Sequence, residues 1–285
     1  MNIIAQTLSI VTGSKACNAN CPYCVSKMTP CSVNNFKEIN WRNFEIACDL
    51  AKMSKVNTVL LTGKGEPCLY PSHIMSCLLK LMPYNFPFVE VQTNGIELMK
   101  DSFDTWLKQF YTHRLTHIAI SIVHYEDSRN KKIFGVNYNV NLPYLIKKLH
   151  SIGFTVRLTC ISIKDYIDNA KDFGELVIYA KDMNVKQLTI RPVTTSEFSV
   201  NKEVLNWINS NPPRDFEGIQ KTVDVNGQLL LPLAHGANIY QYRRQNVCVS
   251  SALTRNPDSN EIRQLIYFPD GMLAYDWQYE GAVLL

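Results

Sequence analysis

Residues 17–24 read CNANCPYC. The C-x3-C-x2-C spacing sets Cys17, Cys21 and Cys24 too close together to serve three separate cores, and it lets them wrap a single metal centre. An iron–sulfur cluster is usually held by four cysteines. Three ligands leave one iron open, and an open iron can bind a substrate or cofactor directly. A structural zinc ion also takes four protein ligands as a rule, often from a paired C-x2-C module, and the chain has no second such pair. A loop of unliganded thiols is the third reading.

Other residues with chemical potential sit at the ends of apolar runs. Thr58–Thr62 runs into Gly63-Lys64-Gly65-Glu66-Pro67. Two glycines allow backbone to approach a ligand closely, and Glu66 offers a carboxylate. An ordinary turn would read the same way. Gln92-Thr93-Asn94-Gly95 closes another run, either as a plain turn or as part of a site. Ser121 interrupts an apolar stretch, where backbone usually satisfies a lone hydroxyl. Arg157 and Arg191 lie in apolar segments, where an unpaired charge is costly. Each calls for a carboxylate partner, from the protein, a cofactor or a substrate.

The elements that must position these residues follow from periodicity. Leu8–Gly13, Thr58–Thr62, Phe88–Thr93, His117–Ile122, Thr155–Ile161 and Gln187–Arg191 are short and rich in Val, Ile, Leu and Thr, as strands buried on both faces should be. Between them fall helical patterns at Trp41–Ser54, Ser72–Leu81 (with Ser72 as N-cap), Asp101–Tyr111, Asn139–Ser151 and Asp168–Met183. Gly153 follows the fourth where a C-terminal glycine belongs. Six alternations predict βα units with right-handed crossovers, two short of a closed eight-fold barrel. The expected fold is α/β, a partial (β/α)6 barrel or an open sheet. The breaker-rich Asn209–Arg214 divides a core, residues 1–208, from a β-rich extension, residues 209–285, expected to cover the site. In the extension, Asn226-Gly227 and Asp270-Gly271 read as hairpin turns.

Composition narrows the classes. The chain has 285 residues, 46% of them hydrophobic and 19% charged, enough apolar content for a core. A net charge of +4 without a basic run longer than two residues argues against nucleic-acid binding. No stretch reaches the roughly 18 apolar residues of a membrane span. Nine cysteines is an odd number, and MNIIAQTLSI lacks a basic start and a long apolar stretch. A reducing cytoplasm is therefore expected, where clustered thiols serve metals or catalysis. Cys48 and Cys77 fall on apolar helix faces and read as core. Cys31, Cys68, Cys160 and Cys248 complete the set, and Cys248 reads more simply as a buried thiol than as a hydrogen-atom donor.

CNANCPYC resembles the signature of the radical S-adenosylmethionine superfamily, with a core like that of the molybdenum-cofactor cyclases or of viperin. The resemblance implies a [4Fe–4S] cluster on Cys17, Cys21 and Cys24, with S-adenosylmethionine chelating the fourth iron and Tyr23 near its adenine. It also implies a partial barrel. Gly65, Glu66 and Pro67 are similar to that family's GGEP motif, which contacts the amino group of S-adenosylmethionine. Lys64 stands where the motif has its first glycine. Thr93 and Asn94 match a TNG beside the cluster. Ser121 occupies a position that often meets the ribose or carboxylate, and Arg157 and Arg191 are candidates for the carboxylate of the cofactor or for substrate. Where cyclase-like members have Ser-Leu-Asp, this chain has Ser121-Ile122-Val123. The implied activity is reductive cleavage of S-adenosylmethionine to a radical that abstracts hydrogen from a small-molecule or nucleotide substrate, fed by a donor such as flavodoxin or ferredoxin. A peptide-modifying enzyme and a zinc-binding interaction protein are the alternatives.

Overall fold

A computed structural model describes residues 4–29, 38–137, 140–195, 199, 201–233, 237–250 and 261–285. Cys31 and the expected helix start at Asn139 lie outside them. Strands β1 (Ile4–Val11), β2 (Thr58–Thr62), β3 (Phe88–Thr93), β4 (His117–Ile122), β5 (Thr155–Ser162) and β6 (Gln187–Pro192) pair in sequence order, each parallel to the next. These are the six predicted strands, with small shifts at their ends. Between them run α1 (Trp41–Met53), α2 (Pro71–Leu81), α3 (Asp104–Thr112), α4 (Asp127–Phe134), α5 (Leu142–Ile152) and α6 (Ala170–Asp182). Local signals start several of these helices. The side chains of Asn40, Asn141 and Asn169 cap α1, α5 and α6 by accepting backbone N–H groups. Gly153 ends α5 at φ +114°, in the left-handed region. Ser72 is not an N-cap. Pro71, whose missing N–H costs nothing in the first turn, opens α2 one residue earlier.

The last third extends this sheet at both edges. Helices α7 (Lys202–Ser210) and α8 (Phe216–Asn226) come first, then β7 (Gln228–Pro232), β8 (Asn238–Tyr242), β9 (Gln245–Val249), β10 (Glu261–Tyr267) and β11 (Leu273–Ala274). Strand β9 joins parallel to β6, and β10 joins parallel to β1. The full order is β11-β10-β1-β2-β3-β4-β5-β6-β9-β8-β7. No pairing among the described residues joins the two edges, so the barrel is open. Asp270-Gly271 does turn the chain between β10 and β11, with Gly271 at φ +104°. Asn226-Gly227 does not make a hairpin. Asp215 caps Gly218 N–H, and Ile219 and Val223 bury one helical face, so α8 runs through Asn226 before β7 begins. Helical period and capping outweigh the turn preference of Asn-Gly there.

Side-chain alternation separates two environments. One face of the strands carries Leu8, Ile10, Val59, Leu61, Val89, Val91, Ile118, Ile120, Val156, Leu158, Leu188 and Ile190 into the main core beneath the helices. Cys48 and Cys77 are buried in that core as expected. The alternate positions face the lumen and are mostly polar: Ser9, Thr62, Glu90, Gln92, Ser121, Arg157, Thr159, Thr189 and Arg191. A core needs no polar lining on its second face, so the lumen is built to hold something polar. No helix of the described residues is long and apolar enough to cross a membrane.

Candidate radical-cofactor site

The cysteine loop leaves the C-terminal end of β1, and the strand ends beside it hold it in place. Gly65 carries no Cβ because one would lie 2.1 Å from the Ala16 carbonyl oxygen. The next residue, Glu66, donates its backbone N–H to that same oxygen at 2.9 Å. The GKGEP turn after β2 therefore grips the residue just before Cys17. Glu66 is 3% exposed. Its carboxylate accepts from Cys68 N–H at 2.9 Å, Thr93 Oγ1 at 2.6 Å and Asn94 N–H at 2.9 Å. Burial raises its pKa, and these hydrogen bonds work against that rise. Glu66 thereby ties the end of β2 to the end of β3. Pro67, buried, begins a short 3-10 turn that Glu66 caps.

The Thr93-Asn94-Gly95 turn completes the grip. Asn94 Nδ2 donates to Asn18 Oδ1 at 2.7 Å and lies 3.8 Å from Cys17 Sγ. Gly95 sits at φ +80°, where a Cβ would press on Leu145. Asn18 in turn donates to Glu97 Oε1 at 3.0 Å. Sequence reasoning missed Asn18 and Glu97, whose roles depend on a contact 79 residues apart. Only its position directly after Cys17, in Cys17-Asn18-Ala19-Asn20-Cys21, placed Asn18 inside the cysteine loop. From the other side, Asn20 N–H donates to the Phe134 carbonyl, anchoring the loop to the end of α4.

The three thiols are free, with Cys17 exposed and Cys21 and Cys24 half-buried. Cys21 is pushed up to about 12, first by burial and then by the charges of Cys24 and Cys17, while Lys27 draws it down. Cys17 is raised by burial, with Glu66 and Cys24 adding to the rise. These thiols therefore share one electrostatic site, which a cation would turn to the thiolate form. Among the described residues no three His, Cys, Asp or Glu side chains are drawn together as ligands of one ion. A four-iron cluster seats each thiolate on a different iron and spreads them wider than a single ion does. Three free thiols on one restrained loop, without a fourth beside them among the described residues, fit that cluster as a donor set.

The remaining expected residues are distributed around the mouth and lumen. Tyr23 packs on Trp207, ring centroids 5.9 Å apart, and burial raises its phenol. Ser121 points inward on β4; the small pocket beside that strand is lined by Asn94, Asn130 and Phe134 together with the core residues Ile120, Ile122, Val140 and Leu142, so it lies toward the helix side of the strand. Arg157 finds its carboxylate in Glu90, one strand beyond its neighbour β4, on β3. Arg191 has no carboxylate among the described residues, and its Nε, like Arg157 Nε, is buried without a hydrogen-bond partner. Lys64, 5% exposed, donates to Thr29 Oγ1 at 2.6 Å and lies 5.1 Å from the Trp277 ring centroid. Trp277 also packs edge-on against Phe268. Tyr275 is exposed and the Asp276 carboxylate accepts the backbone N–H groups of Gln278 and Tyr279.

No family model matches the chain. It is 24% identical over 173 residues to L-lysine 2,3-aminomutase of Buchnera aphidicola subsp. Baizongia pistaciae, covering 59% of this chain and 47% of that protein. Among solved structures, SuiB of Streptococcus suis bound to S-adenosylmethionine superposes with a TM-score of 0.61 at 17% identity, over 95% of this chain and 60% of SuiB. Methylornithine synthase superposes with a TM-score of 0.53 at 12% identity, over 90% of this chain and 74% of that one. The chain spans about half the length of the curated relative and about three fifths of SuiB.

Proposed function

We propose that this chain, a member of the radical S-adenosylmethionine superfamily, is an enzyme that reductively cleaves S-adenosylmethionine and directs the resulting radical at a substrate held in its barrel lumen. The observation that carries this reading is the convergence of three strand ends on one cysteine loop: Gly65 and Glu66 on Ala16, Glu66 on Thr93 and Asn94, and Asn94 on Asn18. Cys17, Cys21 and Cys24 would hold a [4Fe–4S] cluster, which when bound would supply the one-electron reduction of the sulfonium of S-adenosylmethionine. The chain's own part is to bind, orient and exclude water. Asn94 and the Ala16 carbonyl hold the Cys17 segment in register with the turn. In this reading Gly65, Glu66, Pro67, Thr93 and Asn94 would contact the methionyl group, Tyr23 the adenine and Ser121 the ribose. Glu66 orients Thr93 and Asn94 through its three accepted hydrogen bonds. Trp277 and Lys64 narrow the mouth on the β1–β2 side, in keeping with residues 209–285 acting as a cover. An electron donor such as flavodoxin or ferredoxin serves the exposed Cys17 side of the loop.

A small organic molecule or nucleotide is the favoured substrate. A peptide is the second reading, favoured by the likeness to SuiB, which is found bound to its precursor peptide SuiA. Anaerobic reconstitution with iron and sulfide, followed by dithionite and S-adenosylmethionine, tests the activity. The expected product is 5′-deoxyadenosine. Cys21→Ala is expected to lose both the iron and the product, and unchanged product from that variant refutes the assignment.

A further inference from the structure

Strand register lines up four inward-facing side chains in one transverse row. Ser121 pairs with Thr159, Thr159 with Thr189, and Thr189 with Cys248, across β4, β5, β6 and β9. Two residues toward the N-terminal end of β5 stands Arg157, and two residues toward the C-terminal end of β6 stands Arg191. Strand alternation puts both on the same face as the row. The row is thus flanked by a guanidinium on each side.

The hydrogen-bond inventory of this corner is incomplete. Arg157 Nε, Arg191 Nε and Thr189 Oγ1 are all buried, and none has a partner. Thr189 is 8% exposed. A buried donor without an acceptor is costly, more so when charged, and three on two adjacent strands concentrate that cost. The charges are unbalanced as well. Glu90 answers Arg157, but no carboxylate among the described residues answers Arg191. Burial pulls Arg191 down to about 10, with Arg157 and Arg263 adding their like charge. It remains a cation at neutral pH. Cys248 lies in the same field of three arginines.

A neutral ligand would leave that cation and its donors uncompensated. An oxyanion accepts from all of them, and planar guanidinium groups suit carboxylate and phosphate geometry. The cysteine loop is gripped by the turns after β2 and β3, and its far side, at Cys21 and Tyr23, reaches the ends of β5 and β6 near Arg191. The row itself, from β4 to β9, lies two residues deeper along those strands than Arg191. We propose that this part of the lumen seats an oxyanion of the substrate, a carboxylate or a phosphate, between Arg157 and Arg191 with Thr189 as a third donor. The inference rests on the reading that the lumen holds the substrate, and it names that substrate's class as an acidic small molecule.

The test uses the reconstituted chain in a buffer free of both anions. Inorganic phosphate and acetate are titrated separately by calorimetry, with and without S-adenosylmethionine. One saturable site per chain is expected, still open when S-adenosylmethionine is bound. The tighter of the two anions identifies the group. Arg191→Gln should weaken it by about tenfold or more, the loss of one charge-assisted hydrogen bond. Thr189→Val keeps the side chain's shape and should weaken it by about fivefold, a neutral donor's share. Affinity for S-adenosylmethionine should stay within about twofold in both. Absence of saturation by either anion overturns the proposal, as does unchanged anion affinity in both variants. So does an Arg191→Gln variant that loses S-adenosylmethionine and the anion to the same degree, because the guanidinium would then serve the cofactor's carboxylate. If the wild type binds the anion and forms no 5′-deoxyadenosine under dithionite, the oxyanion site stands and the radical chemistry falls.

Discussion

Glu66 is a positioning residue whose two oxygens serve three donors, and its chemistry cannot be mimicked by an amide. In Glu66→Gln one oxygen becomes an NH2 that faces an existing donor, so at least one of Cys68 N–H, Thr93 Oγ1 and Asn94 N–H is left unanswered. Folding stability should fall by about 2 kcal/mol, read from the urea midpoint at constant m-value. S-adenosylmethionine affinity should fall with it, while Thr93→Ser, which keeps the hydroxyl, should preserve both. Gly65 makes a sharper demand. An alanine there meets backbone, not a yielding side chain, so Gly65→Ala should displace Ala16 and with it Cys17. Lower iron content after reconstitution, with the far-ultraviolet circular dichroism unchanged, is the expected signature.

At the level of elements, the segment that joins β4 to α4 is held by a buried network. Asn130 Oδ1 accepts from Val123 N–H at 2.8 Å and His124 N–H at 3.2 Å, and its Nδ2 donates to the His124 carbonyl. His124 Nδ1 accepts from Glu126 N–H at 3.0 Å, a bond that only an unprotonated nitrogen can make. Burial first, then Arg129, pulls this imidazole down to about 4. The unfolded chain takes a proton near pH 6.5 and the folded chain refuses it until about pH 4. Stability should therefore be unaffected by this group above about pH 6.5 and fall as the pH drops through that window, by up to about 3 kcal/mol. His124→Asn places an oxygen where Nδ1 accepts. Denaturation midpoints at pH 7.5 and pH 5 should converge in the variant relative to the wild type, and parallel behaviour of the two would refute this account.

Across the whole molecule, the C-terminal strands belong to the barrel's own mechanics. Strand β10 covers the free edge of β1, and Tyr267 on it is 1% exposed, packs edge-on against Phe44 of α1 and donates its hydroxyl to the Asn40 carbonyl. Tyr267→Ala should cost about 3–5 kcal/mol, as large aromatic truncations do. Tyr267→Phe should cost only about 1 kcal/mol, the value of the lost hydrogen bond. Near-equal losses in the two would mean that the ring's packing contributes little. Because β1 carries the cysteine loop, the alanine variant should also retain less iron.

Much of the N-terminal two-thirds was readable along the chain. Six strands and five of the intervening helices announce themselves by period and, for α5, by Gly153, because these signals act within a few residues of one another; the Asn40, Asn141 and Asn169 caps emerged only with the structure. That Cys17, Cys21 and Cys24 share one short loop is likewise legible from spacing, whereas spacing alone leaves open what they hold. Parallel pairing of β9 and β10 at opposite edges was not legible, because each partner lies far away in sequence and a strand's own residues do not name its neighbour. The same limit hid Glu90 as the partner of Arg157, Asn18 as the partner of Asn94, and the row from Ser121 to Cys248. Short-range stereochemistry writes elements and loops into local composition, whereas which polar groups meet across the lumen depends on strand order and register, and those exist only once the chain has closed on itself.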